Sequence, residues 1–66
     1  MESMNPDQQL IQSAYQDAIR KLYATLFDSY VTAAGDAAMI QDADRHFTSG
    51  VGSARNSRDR GIAVLA

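Results

Sequence analysis

Apolar side chains recur at Leu10, Ile11, Ala14, Tyr15, Ala18, Ile19, Leu22, Tyr23, Leu26, Phe27, Tyr30 and Ala33, separated by gaps of three, four and one. Residues three and four apart share one face of an α-helix, so this spacing predicts a helix and excludes the alternation of a strand. Its start is marked by Asn5, whose side chain can cap free N–H groups, and by Pro6, whose missing N–H has no intrahelical partner at that position. Asp7 adds a negative charge at the positive end of the helix dipole. Gly35 tolerates the left-handed backbone that ends many helices, and Asp36 can accept from the first N–H groups of a second helix. The expected elements are a first helix over about 6–34, a turn at 35–36 and a second helix over about 37–64.

The second apolar stripe is thinner. Ile40, Phe47, Ala54 and Gly61 fall seven apart, and Ala43, Gly50, Ser57 and Val64 follow each of them by three, which makes a seam with a heptad period. Met39, Val51, Ile62 and Leu65 widen this face. Gly50, Ser53, Ala54, Ser57 and Gly61 leave a shallow trough suited to Tyr15, Tyr23, Phe27 and Tyr30 of the first helix, since large residues against small ones fill a core without voids. The competing arrangement breaks the second helix at 49–53, where Gly50 and Gly52 each cost about 1 kcal/mol relative to alanine in a helix, and gives a three-helix bundle. The unshifted seven-residue phase across that stretch favours the continuous helix. The fold class is all-α, a single antiparallel hairpin spanning 1–66.

A hairpin of 66 residues leaves its stripes partly uncovered, and a chain of this size buries only about 60% of its unfolded surface even when compact. Small folds usually add disulfides, a metal or a second subunit. With no cysteine in the chain, disulfides and thiolate chemistry are excluded, and association is the remaining route. The reading is therefore a homodimer forming an antiparallel four-helix bundle. No apolar run reaches membrane length, and no signal peptide or lipidation motif is seen, so the chain is expected in the cytoplasm without a membrane partner. The net charge of −2 hides a gradient. Residues 1–44 carry seven acidic and two basic side chains, a balance of −5, and residues 45–66 carry four arginines against Asp59, a balance of +3.

Catalytic and metal chemistry find few residues. His46 is the only histidine, and Asp42 lies one turn before it, but one such pair makes neither a metal site nor a catalytic dyad with its substrate group. The carboxylate-rich sites of helical bundles need several glutamates, and this chain has none after Glu2. Gly50-Val51-Gly52 follows no strand and is not a nucleotide loop. Arg55, Arg58 and Arg60 form a candidate phosphate-binding patch, although ion pairs with Asp7, Asp17 and Asp59 are the simpler role for these arginines. No family's diagnostic residues are present, no cofactor is implied, and the chain is not expected to be an enzyme. The expected function is a small helical interaction, adaptor or regulatory protein. Its oligomer or partner interface is drawn from Ile11, Tyr15, Leu22, Tyr23, Leu26, Phe27, Tyr30, Ile40, Phe47, Gly50 and Ala54. Binding of nucleic acid through the arginines ranks second, and an oligomeric metal or ligand binder centred on His46 ranks third.

Overall fold

The computed structural model describes residues 4–66, which form two helices and the turn between them. Helix α1 spans Pro6–Ala33 and helix α2 spans Ala37–Val64, each 28 residues long. They pack side by side and antiparallel as an all-helical hairpin. Helix α2 runs unbroken through 49–53. The glycine at 50 is there for space: a Cβ built on it would stand 2.6 Å from Leu22 Cδ2, so the missing side chain lets Leu22 of α1 press onto the backbone of α2. Gly61 does the same for Ile11, whose Cδ1 would lie 3.0 Å away. The two glycines of the trough therefore receive aliphatic side chains; of the four aromatic residues expected there, Tyr15 is half-buried beside Ala54 and Ser57, and Tyr23, Phe27 and Tyr30 are exposed.

Local signals set the start of both helices and the end of α1. The Asn5 side chain accepts from the Gln8 N–H at 2.8 Å while the Gln8 side chain accepts from the Asn5 N–H at 3.1 Å, a reciprocal cap of the α1 start. Asp36 accepts from the Met39 N–H at 3.0 Å and caps α2. The reversal between them uses two positive φ angles, 48° at Ala34 and 88° at Gly35. At the far end of the rod, Asn5 Nδ2 donates to the Leu65 carbonyl and Gln8 Nε2 to the Ile62 carbonyl, both at 3.1 Å. These two side chains thus also satisfy carbonyls that the last turn of α2 leaves without helical partners.

The core sits in the turn half of the rod, where Leu26, Ala33 and Ala43 are buried. The seam then rotates along α2. Val51, Arg58 and Ile62 are half-buried, whereas Ser57 is exposed and Val64 is 81% exposed, so the expected seven-residue seam does not hold to the end of the helix. A straight α-helix drifts about 20° per heptad against a strict seven-residue repeat. Over the length of α2 that drift carries position 64 out of the seam and brings 58 and 62 in.

Candidate interaction surface

Most of the residues proposed from sequence as an interface lie in the seam between the two helices. Leu22 meets Gly50, Ile11 meets Gly61, and Leu26 with Phe47 lines a shallow depression beside Ala43. Tyr15, Ile40 and Ala54 are half-buried along the same seam. The other three point outward. Tyr23 and Phe27 are 59% and 55% exposed, and Tyr30 is exposed as well. Val31, absent from the sequence-derived set, joins them at 64%. Positions 23, 27, 30 and 31 stand in the relation i, i+4, i+7 and i+8, which places them on one stripe of α1 beside the seam. The signal for Val31 was in the sequence: it follows Tyr23 by eight and Phe27 by four.

This aromatic ridge is tied to α2 at one point. The Tyr30 hydroxyl donates a hydrogen bond to Asp44 Oδ1, so ridge and Asp44 belong to the same side of the hairpin. That bond raises the Tyr30 pKa above its ordinary value of 10.0, because ionising the phenol would break it; desolvation, the Asp44 charge and Tyr23 act in the same direction.

The opposite side of the hairpin is concave. Near the turn a depression of about 380 Å³ is lined by Thr25, Asp28, Met39, Asp42 and His46 among others. A second, of about 360 Å³, lies toward the open end beside Ala14, Ala18 and Ser57. His46 thus opens onto a surface hollow near two carboxylates. Among the described residues no three His, Cys, Asp or Glu side chains come together as a metal-binding group.

Arg55 and Arg58, three residues apart on α2, share a face, and Arg60 leaves it. Arg58 lies over the Tyr15 ring with its guanidinium carbon 4.3 Å from the centroid, and its Nε donates to Asp59 Oδ1 at 2.9 Å. Arg60 lies about 200° round the helix from Arg58, so the two do not share a face. Asp17 pairs with Arg20 of its own helix at 2.9 Å, and Arg45 approaches Asp42 at 3.7 Å. Of the ion pairs expected from sequence, only the one with Asp59 is found among the described residues.

Folding back the chain changes the charge gradient into an end-to-end one. The turn half, residues 22–50, holds Asp28, Asp36, Asp42 and Asp44 against Arg45, a side-chain balance of −4 + 1 = −3. The open half, residues 4–21 and 51–66, holds Asp7, Asp17 and Asp59 against Arg20, Lys21, Arg55, Arg58 and Arg60, a balance of −3 + 5 = +2. No helix among the described residues is long and apolar enough to cross a membrane. No protein-family model, curated protein or solved structure matches the chain.

Proposed function

We propose that this chain acts as a small non-enzymatic interaction or regulatory protein, and that its working form is a homodimer in which two hairpins make a four-helix bundle. The observation that carries this reading is the surface left uncovered. The chain exposes 5057 Å², whereas a compact monomer of 7.2 kDa exposes about 4,100 Å². Its radius of gyration is 15.2 Å, against about 11 Å for a compact domain of 66 residues. The excess is comparable with the roughly 800 Å² that each partner buries in a standard protein interface. Part of it is aromatic, and large aromatic side chains dominate interface energetics.

The non-enzymatic part of the reading rests on the residue inventory, with one histidine, no cysteine and no glutamate after Glu2. Cytoplasmic placement belongs to the same proposal, since a chain without cysteine needs no oxidising compartment. Nucleic-acid binding has less support, because Arg58 is already engaged by Tyr15 and Asp59. Sedimentation equilibrium of the full chain tests the proposal. A mass of twice 7.2 kDa at micromolar concentration is expected. A monomer across the accessible range overturns the reading.

A further inference from the structure

We infer that the ridge of Tyr23, Phe27, Tyr30 and Val31 is the surface that receives a second copy of this chain, and that the two hairpins lie antiparallel, turn end against open end. The inference rests on the dimer reading above and adds which face is used and in which direction. Closure of the assembly limits the choice of face. The ridge projects on the Asp44 side of the hairpin, and the two hollows lie on the other. Ridge into hollow is a head-to-tail contact that leaves a free ridge and a free hollow on a pair and propagates into larger rings or open chains. Ridge on ridge and hollow on hollow both close after two copies, and of these two the ridge contact is the one that buries the exposed aromatic side chains Tyr23, Phe27 and Tyr30.

Charge limits the direction. A parallel pair sets two turn halves of −3 side by side, whereas an antiparallel pair sets each against an open half of +2. Opposed charge of this kind governs orientation and encounter more than raw affinity. One pair of residues also sets the level of the axis. Asp44 and Arg55 are both exposed and eleven residues apart on α2, about three helical turns, so they lie on the same face. A two-fold axis at their midpoint, which falls between Ser49 and Gly50, sets Asp44 of each copy level with Arg55 of the other. Leu22 packs on Gly50, so Tyr23, the next residue, stands at this level too and meets its own symmetry mate.

Sedimentation equilibrium of variants of the full chain tests the inference. Phe27→Glu places a charge on the ridge of both copies and should raise the dimer dissociation constant about 100-fold or more. Ala14→Glu, on the hollow side, should change it by less than about threefold. Asp44→Arg alone should weaken the dimer, and combining it with Arg55→Asp should recover most of the loss, because the exchanged charges face each other again only in the antiparallel pair. The charge swap carries the test of orientation even if Phe27→Glu unravels the hairpin. A dimer that tolerates Phe27→Glu but dissociates with Ala14→Glu moves the interface to the other face and leaves the dimer reading standing. A double variant no better than Asp44→Arg overturns the antiparallel register. A monomeric wild-type chain removes the dimer reading and this inference together.

Discussion

Gly50 and Gly52 are two residues apart in one helix and have opposite surroundings. A Cβ at Gly50 would meet Leu22 at 2.6 Å, whereas a Cβ at Gly52 would find nothing within 4 Å. Alanine is favoured over glycine by about 1 kcal/mol in a helix interior, so Gly52→Ala should stabilise the protein by about that amount. At Gly50 the same gain is opposed by displacement of Leu22, whose contacting methyl is the end of a flexible side chain, and Gly50→Ala should come out within about 1 kcal/mol of neutral. Gly50→Leu has no such room and should cost about 1–3 kcal/mol. Chemical denaturation of the three variants at one protein concentration checks the order.

Tyr30 offers a second test at this scale. Its pKa is raised in the folded chain, chiefly by the bond to Asp44. The folded state therefore holds this proton more tightly than the unfolded state does. The resulting stabilisation is complete below the unfolded value near 10 and is lost as pH rises through the higher folded value. Titration of the Tyr30 phenol followed by NMR should give a higher midpoint in the folded chain than in the unfolded one, and Asp44→Asn should lower it. An unchanged titration in that variant would place the cause elsewhere.

At the scale of the element, the ends of the helices carry unusual weight because so little of the middle is buried. Asn5 and Gln8 each serve two helices, capping the start of α1 and donating to carbonyls at the end of α2. Loss of a cap alone typically costs about 1 kcal/mol, and loss of the cross-helix bond adds about 0.5–1.5 kcal/mol. Gln8→Ala should therefore destabilise the hairpin by about 1–2 kcal/mol. Hydrogen exchange should locate the damage, with amides of the last turns of α2 losing protection along with those at the start of α1. Protection lost in α1 alone would show that the link between the helices contributes nothing. The Asn5 cap was readable from the Asn-Pro pair, and Gln8 stands at the spacing of a reciprocal cap. The bonds to Ile62 and Leu65 were not, because they join positions far apart in the chain.

For the molecule as a whole, the rod measures 47 × 17 × 15 Å and holds three buried residues among those described. A structure with so small a core stands to gain stability from a cover on its faces. If that cover is a second copy, unfolding is coupled to dissociation and the melting temperature must rise with concentration. A thermal series spanning about a hundredfold in protein concentration should show a steady upward shift. A melt that does not move would mean that the hairpin is stable by itself. The arginines illustrate how assembly at this scale reassigns residues. In sequence they cluster near the C-terminus, while in the hairpin Arg58 serves the Tyr15 ring and Arg55 shares a face with Asp44.

The helical period, both N-caps and the place of the reversal were decided by sequence, because each depends on residues within about one turn of one another. The candidate site was only partly legible. Its aromatic residues were visible on the α1 stripe, but the stripe covers far more of the helix surface than one neighbour can bury, and nothing local says which edge turns inward. Tertiary packing made that choice. Leu22 and Ile11 took the spaces above Gly50 and Gly61, and with those contacts made, Tyr23, Phe27 and Val31 were left outside. The end of the second seam was decided in the same way, since an α-helix turns at about 3.6 residues and a heptad repeat at about 3.5, a mismatch that becomes visible only when the helix must stay against a partner along its whole length.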